Sequence, residues 1–300
     1  MSIVLQQLSI LFIFAFMGYI LAKVGVIKAE QTKILSSLIV YVFCPAVCLD
    51  SFSKNFTTQY LSQKYKILIV SVVVLIFLSI AAFFASKLFS KDAYDRNVYT
   101  YSLIVPNYGY MGYALAVGIF GDEMLMDVII VGIPLTIFIY VIGLPMLTGV
   151  KNFSIKSLIN PPLVTIVIGA IIGLTNIKIP EIFQSVFSTA GGCMAPLAML
   201  LMGITISEFK LSELFKKYKI YVLALLRLII IPLIIATVLW FVLPKEFIIP
   251  VLLVYILPCG LNTVVFPRLV GKNCEIGAGV ALISSLFSII TIPLWLNFFV

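Results

Sequence analysis

Ten apolar stretches succeed one another along the chain, near residues 3–22, 34–53, 66–86, 98–118, 126–148, 160–175, 186–206, 219–243, 247–267 and 275–298. A helix needs about 20 such residues to cross about 30 Å of hydrocarbon, and in that medium only helices and closed barrels satisfy their backbone. The pattern therefore predicts an all-α integral membrane protein of ten transmembrane helices joined by short loops. Composition points the same way: with 62% hydrophobic residues, 11% charged residues and a mean hydropathy of +1.20, there is too little polar surface to cover a soluble globule. The run from Ile3 to Ala22 lacks a basic flank and exceeds a signal-peptide core, so it is read as an uncleaved first span.

Several function classes drop out. Without any histidine there is no histidine general base, no H-E-x-x-H zinc motif and no histidine-containing triad, and the chain is not read as an enzyme. The formal charge of +8 comes from basic residues scattered between apolar runs, the pattern of cytoplasmic loops rather than of a nucleic-acid surface. Cys44, Cys48, Cys193, Cys259 and Cys274 fall mostly inside spans and are read as reduced packing residues; two thiols on one face, Cys44 and Cys48, fall short of the four ligands of structural zinc. No cofactor or metal is expected.

Positive charges stay cytoplasmic. One set of alternate loops holds Lys23, Lys28, Lys33, Lys87, Lys91, Arg96, Lys151, Lys156, Lys210, Lys216, Lys217, Lys219, Arg268 and Lys272, whereas the other holds only Lys54, Lys64, Lys66, Lys178 and Lys245. Both termini are thus expected outside a plasma or inner membrane crossed many times, with the acidic loop Asp122–Asp127 also outside. Five spans per half require two homologous halves, 1–149 and 150–300, to be inserted in opposite orientation. Weak internal similarity supports the duplication: Gly18 and its followers align with Gly169, Pro45 with Pro196, and Pro106 with Pro258, at a shift of 151 or 152 residues.

The last pair marks the most unusual stretches. Val105-Pro106-Asn107-Tyr108-Gly109-Tyr110 interrupts the fourth span and Leu257-Pro258-Cys259-Gly260-Leu261-Asn262-Thr263 the ninth. Non-helical backbone persists at membrane depth only where it lines a protected cavity, and broken helices in corresponding positions of inverted repeats point to a transporter's binding site. Each break would aim a half-helix N-terminus, with its free N–H groups, at an anion. Asn107 and Asn262 supply amides that donate and accept; Tyr108, Tyr110 and Thr263 supply hydroxyls; Gly109 and Gly260 allow close backbone approach. Other prolines in spans, such as Pro134, Pro145, Pro232 and Pro293, are read as ordinary kinks.

Membrane-embedded charge is rare and tends to be functional. Asp50, toward the outer end of the second span, is read either as an interfacial residue or as the carrier of a coupling proton. Arg227 in the eighth span is read either as functional or as a side chain that snorkels to the cytoplasmic face. The small-residue stretch Thr189–Ala198 suits close helix approach, as a sliding or homodimer face or as packing alone.

Ten spans in a five-plus-five inverted arrangement, with Phe43-Cys-Pro45-Ala, Pro106-Asn107-Tyr108-Gly109, Ala195-Pro196-Leu197-Ala198 and Pro258-Cys-Gly-Leu-Asn262-Thr at their places, resemble the auxin efflux carrier family. The resemblance implies crossover helices 4 and 9, and a scaffold of helices 1, 2, 6 and 7 kinked at Pro45 and Pro196, through which a homodimer would form. It implies a transport domain of helices 3–5 and 8–10 that moves like an elevator, with substrate at Asn107 and Asn262. The short link from Gly149 to Asn160 stands where plant auxin carriers have a long cytoplasmic loop. The chain is therefore most similar to short microbial members associated with malate, malonate and related acids. The expected function is secondary transport of a small organic anion; a sodium- or proton-coupled carrier of the related bile-acid symporter type is the second reading, and a membrane receptor the third.

Overall fold

The structure is a computed structural model and describes residues 2–28, 31–149, 159–210, 212 and 216–299. In chain order its helices are α1 (Ile3–Lys23), α2 (Thr32–Asn55), α3 (Thr58–Phe89), α4 (Ala93–Ile104), α5 (Tyr108–Phe120), α6 (Asp122–Thr148), α7 (Pro161–Thr175), α8 (Glu181–Ser207), α9 (Tyr218–Trp240), α10 (Lys245–Tyr255), α11 (Asn262–Leu269) and α12 (Glu275–Phe298). Seven of them, α1, α2, α3, α6, α8, α9 and α12, are long and apolar enough to cross a bilayer, and α5 and α7 are shorter apolar helices. The expected spans at 98–118 and 247–267 are each two helices separated by extended backbone. The expected boundary between halves, with Lys151 and Lys156, lies outside the described residues.

Two loop expectations are corrected. The acidic stretch Asp122–Asp127 is helical and opens α6, directly after Gly121 at φ +87; acidic side chains favour the positive end of a helix dipole. Helix α3 starts eight residues earlier than hydropathy suggests, because the Thr57 hydroxyl accepts the Tyr60 N–H at 3.1 Å and caps it. Lys64 and Lys66 therefore lie in a helix rather than a loop.

Proline explains a second regularity. Wide turns occur at Ile39–Phe43, Ile139–Gly143 and Leu226–Ile230, and after each comes one residue and then Pro45, Pro145 or Pro232. Proline cannot donate to the carbonyl one turn back. In all three places the N–H of the residue before proline reaches back five residues instead, from Cys44 to Ile39, Leu144 to Ile139 and Ile231 to Leu226. The π-turn thus re-pairs backbone that lipid cannot solvate. Pro196, also expected as a kink, sits inside α8.

Packing divides the helices into two groups. α1 lies along α8, and α2 against α7 and α8. Glycine sets these approaches: a Cβ on Gly203 would fall 1.7 Å from the Ala15 carbonyl oxygen, and one on Gly18 2.2 Å from that of Leu200. Backbones this close are typical of small-residue membrane interfaces. In the other group α3 packs on α4 and α6, α10 on α6 and α9, and α12 on α9, α4 and α11. Within the apolar windows of α6 and α12, 72% and 61% of residues are buried, against 22% in α1. α6 and α12 are central, and α1 presents much of its surface to lipid.

Candidate functional site

The two interruptions meet. Helix α4 ends at Ile104 and α10 at Tyr255; their extended continuations run antiparallel, with Pro106 bridged to Cys259. The Asn107 N–H donates to the Pro258 carbonyl at 2.8 Å, and the Gly260 N–H to that of Val105 at 3.5 Å. Ser284 of α12 accepts the Cys259 N–H at 3.0 Å, and the Cys259 thiol donates to the Ser102 carbonyl at 3.3 Å. Each break therefore satisfies backbone that the other has freed, the condition for irregular chain at membrane depth.

On one side of this crossing lies a cavity of about 120 Å³. Of the residues singled out in sequence, Pro106, Asn107, Tyr108, Gly109, Tyr110, Gly260 and Asn262 line it. The opposing wall comes from α2 (Ser36, Ile39, Val40, Cys44), α7 (Pro162, Ile166) and Met194 of α8. Pro258 and Thr263 do not line it. Pro258 contributes its carbonyl to the crossing, while the fully buried Thr263 turns its hydroxyl to the carbonyls of Gly260 and Gly277, at 3.2 and 3.4 Å.

The polar groups differ in how far they are engaged. Asn107 is 3% exposed, and its side-chain nitrogen has no partner among the described residues. The Asn262 amide donates to the Tyr101 hydroxyl at 2.9 Å. The Tyr108 hydroxyl lies 2.6 Å from Thr136 Oγ1, which itself donates to the Gly132 carbonyl at 2.8 Å, leaving Thr136 to accept from Tyr108. No Lys, Arg, Asp or Glu stands among the lining residues. Positive potential comes instead from the N-termini of α5 and α11, whose first N–H groups have no intrahelical acceptor. Tyr101, Thr136 and Ser284 were not singled out in sequence; a hydroxyl among apolar neighbours carries no local sign of the partner it will meet.

A second cavity, of about 370 Å³, adjoins the first and shares Tyr110, Tyr113 and Met194 with it. Its walls include Gln7, Asp50, Asp122, Ser188 and Pro196. Asp50 faces this vestibule, with Lys54 Nζ 2.7 Å from its carboxylate, an (i, i+4) pair in which Lys54 is exposed and Asp50 half-buried. On α8, a 27-residue helix about 40 Å long, the vestibule lining runs from Ser188 to Pro196 at mid-helix. At the far end of α8, Glu208 takes a bidentate pair from Arg268, at 2.9 and 2.6 Å. Asp127 is buried, bonded to Tyr60 and 3.2 Å from Lys64, both on α3. Arg227 does not snorkel: it is fully buried.

The description "membrane transport protein" fits this chain over residues 3–154 and again over 146–296. The chain belongs to this family, the auxin efflux carriers. Over 297 residues it is 26% identical to an uncharacterized transporter of Methanocaldococcus jannaschii, covering 95% of this chain and 96% of the relative. An uncharacterized transporter of Methanothermobacter thermautotrophicus is 25% identical over 208 residues, 67% of each chain. As an auxin efflux carrier family member built of apolar helices, the chain is a multi-pass membrane protein.

Proposed function

We propose that the protein is a secondary carrier for a small organic anion, working by alternating access around the crossing of the two breaks. The observation that carries this reading is the Asn107 amide, buried, unpartnered and facing a cavity onto which two helix N-termini converge. A carboxylate there would accept from the amide and from free N–H groups, and the missing fixed charge would let it be released as well as bound.

In this reading the ten-span inverted repeat is the working unit. Helices α1, α2, α7 and α8 form the scaffold and dimer face, and α3–α6 with α9–α12 move as one body. The cavity lies between these groups, which supports a site that changes sides when one slides past the other. The vestibule, lined by Gln7, Asp50, Asp122 and the first half of α8 as far as Pro196, and the Arg268–Glu208 pair at the C-terminal end of α8 support a state open on one side and latched on the opposite side. By the charge bias of the loops the open side is extracytoplasmic, as are both termini. Ligand-induced thermal stabilisation tests the site, since a ligand bound only to the folded state raises its apparent stability. With malate, malonate, indole acids and sodium as probes, at least one carboxylate raises the melting temperature of the wild type and none raises that of Asn107→Ala. Unaltered transport by both Asn107→Ala and Asn262→Ala overturns the reading.

A further inference from the structure

Arg227 is the most deeply placed charge among the described residues, 0% exposed on α9. Its Nη1 donates to the Leu103 carbonyl at 3.2 Å, and its guanidinium carbon lies 5.5 Å from the centre of the Tyr255 ring. Leu103 belongs to the last turn of α4, and Tyr255 is the last residue of α10. The guanidinium is thus set against the C-terminal ends of both broken helices, whose terminal carbonyls are the negative poles of their dipoles. Among the described residues Nε and Nη2 have no hydrogen-bond partner, and the ion pairs Lys54–Asp50, Lys64–Asp127, Lys217–Glu275 and Arg268–Glu208 leave Arg227 without a carboxylate. A guanidinium does not lose its proton in proteins. One fixed positive charge therefore sits inside the α3–α6 and α9–α12 group, behind the lining of the cavity rather than in it.

We propose that Arg227 is the built-in counter-charge for the transported anion, so that the interior of the moving body carries +1 when empty and no net charge when it holds a monoanion. This rests on the carrier reading above and adds two things to it. The substrate class is a monoanion, a monocarboxylate or a singly protonated dicarboxylate, because a dianion would leave the loaded body charged. The membrane potential acts on the return of the empty carrier and not on the loaded step. If the charge crosses half the membrane field, the ratio of the two empty orientations changes about sevenfold per 100 mV.

The test needs no substrate. Voltage steps applied to wild-type protein in a planar bilayer without any organic anion drive transient charge movements; Arg227→Gln removes them. Arg227→Lys keeps them at low pH and loses them as pH rises, because a buried ammonium gives up its proton where a guanidinium does not. Wild-type transients stay flat with pH over the same range, which separates Arg227 from its ionisable neighbours Tyr255 and Cys259. If Arg227→Gln does not fold, the pH contrast between wild type and Arg227→Lys decides alone. Transients retained in Arg227→Gln, or the same pH response in wild type and Arg227→Lys, overturn the proposal.

A companion measurement keeps the carrier reading separate: labelling of Gly109→Cys by an impermeant maleimide, in a chain freed of its five native cysteines. A Cβ at Gly109 meets open space, so a thiol there reports access to the cavity. Labelling from both sides with no wild-type transient sinks the counter-charge and spares the carrier. Labelling from one side only sinks the carrier reading itself.

Discussion

At the first break the Asn107 side-chain nitrogen is buried without a partner among the described residues, whereas at the second the Asn262 amide is held by Tyr101, whose hydroxyl is itself fully buried. The residue types are the same, and the backbones are partners in one bridge. Symmetry of sequence therefore does not carry through to the side chains. An unpaired buried amide costs about 1–3 kcal/mol, and it is tolerable where a ligand completes it. A paired amide is already oriented and offers its remaining carbonyl oxygen at little further ordering cost. The first break reads as the half that recognises, the second as the half that is pre-set.

The largest effect expected from this contrast is on transport. Asn107→Ala lowers carboxylate flux in proteoliposomes at least tenfold, while thermal unfolding without ligand is unchanged or shifts upward, since a buried unsatisfied group has been removed. Asn262→Ala also lowers flux, but the unliganded protein loses about 1–3 kcal/mol because the Tyr101 hydroxyl is orphaned. Tyr101→Phe in that background recovers part of the loss. If both alanine variants destabilise alike, the asymmetry is broken.

Gly132→Ala comes next, at about 1–3 kcal/mol from overpacking, since its Cβ would lie 2.5 Å from the Tyr108 ring. Tyr101→Phe alone, read by thermal unfolding, costs about 0.5–1.5 kcal/mol, the worth of one hydrogen bond. Asp50→Asn, which breaks a pair with the exposed Lys54, shifts stability by about 1 kcal/mol or less. Its transport keeps the wild-type pH profile; a changed profile would assign Asp50 the coupling proton instead. Gly109→Ala is the smallest, within about 0.5 kcal/mol, because its Cβ points into open space.

Proline and hydropathy made the spans and both breaks legible in sequence, and the recurrence of Pro106 at Pro258 made the breaks a pair. What stayed hidden were the partners. Asn262 meets Tyr101 from 161 residues away, and Asp127 meets Lys64 from 63. Asp127 looked like part of a loop because its neighbours are acidic, yet the helix dipole accepts those neighbours and a lysine on α3 accepts Asp127. Arg227 looked able to reach water along its stem, but it lies level with the ends of α4 and α10, where the Leu103 carbonyl and the Tyr255 ring hold it. Side-chain direction decides such cases, and hydropathy does not contain it.

The Pro106–Cys259 bridge also bears on how the chain can be made. As the first half leaves the ribosome and enters the bilayer, the Val105 carbonyl has no donor and the Asn107 N–H no acceptor until a segment about 150 residues later arrives. Nascent chain at that stage must keep the first break shielded, by water, by the insertion machinery or by staying out of the hydrocarbon. This pair of backbone contacts thus adds to the helix packing that couples the two halves, and a truncated first half should be cleared rather than accumulate.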